Sequence, residues 1–461
     1  MRRGNRLLVI GLDCAEPSLV FDRWRGELPN ISRLMESGVY GELESTIPPI
    51  TVPAWMCMMT GHDPGSLGIY GFRNRRNRSY DALAFANSLM VKEPTVWDAA
   101  GEAGLKTVAL GVPLTYPPKP INGWVVSGFL APGTDSDYTY PSELKEEIAA
   151  VVGDYVLDVR DYRTDRRAEL LRRVYEMTEK RFELARHLIR SRDWDLFVMV
   201  EMGPDRLHHA FWRYIDPLHV KHEENSDFLD AVRGYYRYMD EQIGTLVELA
   251  PGAGVMVVSD HGARRMDGGV CFNEWLIREG FLALESRPEG VTRFESSLVD
   301  WEHTTAWGDG GYYGRLFLNV RGREPRGVVH PSDYEKVRNE LAARLEALTD
   351  ENGKPLGTKV FRPEEIYTAC RNVPPDLIVY FGDLAWRSVG SIGHGSVWTR
   401  ENDTGPDDAN HSQHGIFVLN APGWAGGRRL LGIRIYDVAR TILAVLGVEA
   451  PLGMPGRVIG R

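Results

Sequence analysis

The chain has 461 residues, 43% of them hydrophobic and 26% charged, with a formal net charge of −10. That length accommodates one large α/β domain with insertions or two to three ordinary domains, and the composition is that of a soluble globular protein. The negative balance argues against general affinity for nucleic acid or anionic membranes, while leaving room for a local basic pocket.

Four widely spaced cysteines, Cys14, Cys57, Cys271 and Cys370, form no CxxC pair. They suit a reducing compartment better than a disulfide framework or a thiolate zinc site. The start, MRRGNRLLVIGLD, has too short an apolar run for a signal peptide, and no stretch approaches the ~18 apolar residues of a membrane span. A cytoplasmic protein is expected, with no membrane partner; oligomeric state is left open.

Leu7 to Leu12 is fully apolar, the pattern of a strand buried in a parallel sheet, and Asp13 follows at its carboxyl end. There an Asp either caps the next helix or holds a metal. Leu28 to Gly38 reads as a helix. Thr46 to Gly71 then places Thr51 in a turn bounded by Pro48, Pro49 and Pro53, ahead of the apolar run Ala54 to Met59. A hydroxyl at a helix mouth is either an N-cap or a nucleophile aimed at developing negative charge. The cluster Arg73, Asn74, Arg75, Arg76 and Arg78 is either solvated surface or a phosphate holder, with Arg73, Asn74 and Arg75 the substrate-binding candidates.

Thr95 to Gly111 reads as a helix followed by a strand, Pro113 to Ser142 as loop, and Tyr162 to Arg192 as a helix on the sheet's face. Asp195 to Gly203 is a second strong strand. It runs into Asp205 and His209, whose i, i+4 spacing puts carboxylate and imidazole on one helix face, either as a surface pair or as metal ligands; His208 points elsewhere. After the helix Phe228 to Leu249, the strand Gly254 to Ser259 ends in Asp260 and His261, adjacent polar ligands at a sheet's carboxyl edge.

Residues 272–375 carry more charge, with mixed short strands, a helix Ser332 to Leu348 and the loop GREPRG; they read as an α+β lid insertion. Asp376 to Phe381 reads as the return to the core sheet, giving a core of residues 1–271 and 376–461. Trp386 to Ser412 is loop-like with Asp403, Asp407 and Asp408. His411 and His414 then stand at the edge of the strand Ile416 to Leu419, and Ile435 to Leu446 is a last helix. A donor set rich in Asp and His without Cys suits Zn²⁺ or Mn²⁺. Three Asp, three His and a threonine oxygen are too many for one tetrahedral ion and enough for two.

The order of GLDCAEP, ITVPAW, TGHDPGSLGIYGF, GPDRLHH, SDHG and HSQHGIF resembles the alkaline phosphatase superfamily, in its type I phosphodiesterase and nucleotide pyrophosphatase branch. The resemblance implies an α/β fold with a mostly parallel central sheet flanked by helices. It also implies two divalent ions, zinc or manganese: one held by Asp13, Thr51, Asp260 and His261, the other by Asp205, His209 and a late histidine. His411, four residues before Gly415, fits that place better than His414. Thr51 is then the nucleophile that cleaves a small phosphate ester through a phosphothreonine. Phosphomonoesterase and phosphomutase activity remain open within the superfamily, as does a non-catalytic metal-binding role.

Overall fold

The computed structural model describes residues 5–424 and 426–460; residues 1–4 of the basic N-terminal stretch lie outside it. Its centre is a nine-stranded sheet. In chain order the strands are β1 (Leu7–Leu12), β2 (Val39–Glu44), β3 (Thr107–Leu110), β4 (Gly123–Val126), β5 (Thr139–Tyr140), β6 (Leu196–Glu201), β7 (Gly254–Val258), β8 (His414–Asn420) and β9 (Arg428–Arg434). They lie in the order β9-β2-β8-β7-β1-β6-β3-β4-β5. Strands β7, β1, β6, β3 and β4 are mutually parallel, whereas β8 runs against both β2 and β7. The central strands are apolar at nearly every position because helices cover both faces, and β1, β3, β6 and β7 are buried throughout.

The helical expectations hold with shifted ends. The helices span Pro29–Ser37, Val96–Glu102, Arg167–Ser191, Ala231–Leu249 and Val438–Leu446. Thr95 starts the second of these with a capping box to Asp98. The stretch 113–142, expected as loop, contains β4 and β5; its short strands sit among turn residues that mask the pattern. No helix among the described residues is long and apolar enough to cross a membrane.

A second unit has its own hydrophobic core, drawn from Val270 to Val397, while the main core uses residues up to Ala263 and resumes at Ala409. Its largest sheet is antiparallel: Ala306–Asp309, Gly314–Leu318, Leu377–Tyr380 and Lys359–Phe361, backed by the helix Tyr334–Glu346. The apolar stretch 376–381 therefore does not return to the core sheet. Leu377–Tyr380 pairs with Gly314–Leu318 and Lys359–Phe361, so the second unit extends well past residue 375. Strand 386–389 and strand 398–399, inside a stretch expected as loop, flank Gly268–Cys271.

Between the two units lies a small cluster of Ile50, Tyr70, Tyr312, Tyr313, Tyr367, Ile378, Tyr380 and Leu384. Its tyrosines also bond across the joint: the Tyr367 hydroxyl donates to the Ile47 carbonyl, that of Tyr313 to Tyr70, and that of Tyr70 to Arg371.

Candidate active site

The parallel strands deliver their polar residues to one edge. Asp13 follows β1 and Asp260–His261 follow β7, its neighbour. Asp205 and His209 lie on the helix Gly203–Ile215, directly after β6 on the other side of β1. Thr51 begins the helix Thr51–Thr60 beyond β2, which points the same way as β7. Carboxyl ends of parallel strands are where open α/β sheets place their ligands. His411 arrives from the other direction: its short strand Ala409–Ser412 pairs antiparallel with Gly262–Arg265, with His411 opposite Ala263.

Thr51 is not an N-cap. Ile50 occupies that position, and Thr51 is the first helical residue, 3% exposed. Pro53 falls in the first turn, where its missing N–H costs nothing. The hydroxyl oxygen lies 3.4 Å from His261 Nε2.

Among the described residues, two groups bring three ligand atoms within 4.8 Å of one another: Asp13, Asp260 and His261, and Asp205, His209 and His411. All six are buried. In the first, His261 Nε2 is 3.2 Å from Asp260 Oδ2 and 4.0 Å from Asp13 Oδ1. In the second, Asp205 Oδ1 is 3.4 Å from His209 Nε2 and 3.5 Å from His411 Nε2. The rings of His261 and His411 stack at 3.8 Å, joining the groups.

Each histidine is held by its other nitrogen. His261 Nδ1 donates to the Gly262 carbonyl (3.1 Å), and His411 Nδ1 to the Pro49 carbonyl (2.8 Å). His209 Nδ1 lies 2.7 Å from Asp407 Oδ1 and 3.0 Å from the Ala409 carbonyl. All three Nε2 atoms therefore turn inward, the arrangement that metal-ligating histidines adopt.

The carboxylates are fixed in the same manner. Trp55 Nε1 donates to Asp13 Oδ2 at 2.7 Å, and the Cys14 amide to Asp260 Oδ1 at 3.2 Å. Arg206 donates to Asp205 Oδ2 while its fork grips Asp158. The remaining oxygens, Asp13 Oδ1, Asp260 Oδ2 and Asp205 Oδ1, are buried with no hydrogen-bond partner. Buried polar atoms without partners are rare, and three facing imidazole Nε2 atoms fit divalent cations.

The electrostatics point the same way. Burial, then the Asp205 charge, pushes the Asp13 carboxyl well up; burial, then Asp13, does the same to Asp260. Burial pushes His261 down, and its neighbour His411 adds to this. Against burial, His209 and Arg206 hold Asp205 well below the usual carboxylate range. Cationic charge is short in the first group and supplied by protein in the second.

His414 stands apart. It is exposed at the start of β8, opposite Glu44, and belongs to neither group. His208 is buried on the back of its helix with Nε2 3.2 Å from the Tyr236 hydroxyl. Two of the substrate candidates, Asn74 and Arg75, have their side chains engaged elsewhere. Asn74 spends its amide on Tyr70 and Gly71 within its own turn. The Arg73 carbonyl accepts from Arg315, and Arg75 is buried against Trp307 and Phe317 of the second unit.

Sequence reasoning passed over several neighbours. Asp407 also accepts from Arg163 (2.8 Å) and Arg387 (3.0 Å). Tyr312, from the second unit, stacks on His411 at 4.0 Å, its hydroxyl bonded to Tyr162 and Arg163. The acidic run before Asn410 was the one local signal for Asp407; Tyr312 gives none.

The sequence model of the type I phosphodiesterase / nucleotide pyrophosphatase family matches residues 7–416. The chain belongs to this family. No curated protein sequence matches it. Its fold is similar to that of human ectonucleotide pyrophosphatase / phosphodiesterase 5, at a TM-score of 0.56 and 12% identity over 98% of this chain and 97% of that one. The murine ectonucleotide pyrophosphatase / phosphodiesterase 5 is similar at 0.55, 12% identity and the same coverage, in an inactive threonine-to-alanine form in complex with AMP. At that identity the likeness shows the fold, which is alkaline phosphatase-like.

Proposed function

We propose that the chain is a two-metal phosphoric ester hydrolase of the phosphodiesterase / nucleotide pyrophosphatase type, with Thr51 as its nucleophile. The observation that carries this reading is the convergence of three inward Nε2 atoms and three unpartnered carboxylate oxygens beside the Thr51 hydroxyl. Asp13, Asp260, His261 and Thr51 hold one divalent ion and Asp205, His209 and His411 the other, zinc first and manganese as the alternative. When bound, these ions supply the charge that activates a hydroxyl and neutralises phosphoryl oxygens.

The protein's own part is positioning. The first turn of the helix Thr51–Thr60 aims the hydroxyl and offers its positive end to an incoming phosphate. Thr51 Oγ1 attacks phosphorus, the ester oxygen leaves, and phosphothreonine remains until water cleaves it. The AMP complex of the murine relative supports a nucleotide phosphate ester as substrate class.

The test is hydrolysis of bis-p-nitrophenyl phosphate and of p-nitrophenyl phosphate by zinc- or manganese-loaded protein, beside Thr51→Ala. Turnover of the diester should fall by orders of magnitude in the variant while the fold persists. Full activity in Thr51→Ala, or none in folded, metal-loaded wild type on either ester, rejects the reading.

A further inference from the structure

Two stretches that stand out in the sequence, the arginine cluster at 73–78 and the loop GREPRG at 322–327, are not part of the Thr51 site. They meet each other. Glu324 Oε1 lies 3.6 Å from Arg75 Nη1 and 3.8 Å from Arg78 Nη1. The Tyr80 hydroxyl donates to Asn319 Oδ1 (2.7 Å) and accepts from the Arg326 amide (3.0 Å), and its ring stacks on Trp301 at 3.5 Å. Asn319 Nδ2 in turn donates to the carbonyls of Trp301, Thr304 and Arg326. Between the two stretches is a cleft of about 520 Å³, lined by Arg78, Ser79, Arg321, Arg323, Glu324 and Arg326 among others.

The charges in this cleft are unbalanced. Arg323 is spent on Asp376, with both forks at 2.7 Å. Glu324 Oε2 accepts from the Val320 amide and Arg323 Nε, and Arg75 faces its other oxygen. Glu324 thus faces Arg75 and Arg78 with one oxygen and Arg323 with the other, and Arg321 and Arg326 add two further guanidinium groups around the opening, in a chain of net charge −10. Five arginines against the carboxylates of Glu324 and Asp376 leave this place net positive, which a multivalent anion balances. Arg75 Nε and Nη1 and Arg78 Nη1 are buried donors with no hydrogen-bond partner. Glu324 Oε1 is a buried acceptor with none, on a residue 4% exposed.

We propose that this cleft is a second anion site, taking a phosphate or phosphate monoester. Guanidinium forks match tetrahedral oxyanions. The site is separate from Thr51. Tyr312, which stacks on His411, and the loop 321–327 stand at opposite ends of the strand Gly314–Leu318, which spans roughly 15 Å at ~3.3 Å per residue.

The test is calorimetric titration of inorganic phosphate, and separately of sulfate, into the metal-loaded protein at about 150 mM salt, where surface charges are screened beyond about 8 Å. Wild type should bind phosphate, and likewise sulfate, at one place beyond that which inhibits ester hydrolysis. Arg321→Ala combined with Arg326→Ala should weaken that extra binding by about tenfold or more, leaving hydrolysis and its inhibition by phosphate unaltered. The proposal is overturned if wild-type phosphate binding is fully accounted for by the inhibitory site, or if the double variant binds as wild type does. It is equally overturned if binding and inhibition weaken together.

Discussion

Asp407 Oδ1 lies 2.7 Å from His209 Nδ1, on the side of the ring opposite Asp205. The carboxylate fixes the ring's orientation and holds its pKa up at about 10 against the downward push of burial. Outer partners of this kind govern how well a histidine ligates. Asp407→Asn should weaken metal binding at the Asp205 group by ~10- to 100-fold, measured by chelator competition. Unchanged affinity would make Asp407 a packing residue.

Asp13 depends on Trp55 and Trp55 depends on Gly11. A Cβ on Gly11 would come within 2.4 Å of Trp55 Cη2, and that indole is the donor to Asp13. Trp55→Phe strands a buried acceptor and should cost ~1–3 kcal/mol in denaturant titration. Gly11→Ala should cost ~1–3 kcal/mol by overpacking. Both should lower metal occupancy of the Asp13 group.

Metal removal should change the pH dependence of stability. Asp13 and Asp260 have folded-state pKa values pushed up, so the metal-free folded chain binds more protons than the unfolded one and gains stability as pH falls through that interval. His209 adds to the trend, since its contribution is full below its unfolded pKa and is lost as pH rises through about 10. Asp205 and Asp407 are held low and lose their contribution only at acid well below neutrality. The rise in melting temperature that metal confers should shrink from about pH 8 to about pH 6, because protons compete for the ligands. Parallel slopes with and without chelator would contradict this.

His208 supplies the control. Burial pushes its pKa down to about 3, and it stacks on Tyr236 away from both groups. His208→Gln should leave two bound metals per chain by elemental analysis while lowering stability by ~1–3 kcal/mol through an altered buried contact.

How much of this was legible follows from how local each signal is. Strand β1 matches the apolar run Leu7 to Leu12 because a strand buried on both faces has no alternative pattern. The Asp205–His209 pair was legible through helical spacing, and Asp260–His261 through its place after an apolar strand. The stretch 376–381 misled because an apolar run announces a strand without saying which sheet receives it; Leu377–Tyr380 went to the second unit. Arg75 misled because a guanidinium reads as a phosphate holder until its aromatic and Glu324 contacts are visible. The bond from Asp407 to His209 spans 198 residues, and the acidic run around Asp407 does not say which residue it meets.

The tyrosine joint bears on how far the two units are interchangeable parts. Hydroxyls of Tyr367 and Tyr313 are anchored to carbonyls of Ile47 and Tyr70, on either side of Thr51. A chimaera carrying a relative's insertion would keep all seven candidate metal-site residues, for none of them lies in that insertion. It would still lose the struts beneath the turn that carries Thr51. In this chain the inserted unit is part of the scaffold around Thr51, and the two halves are constrained to change together.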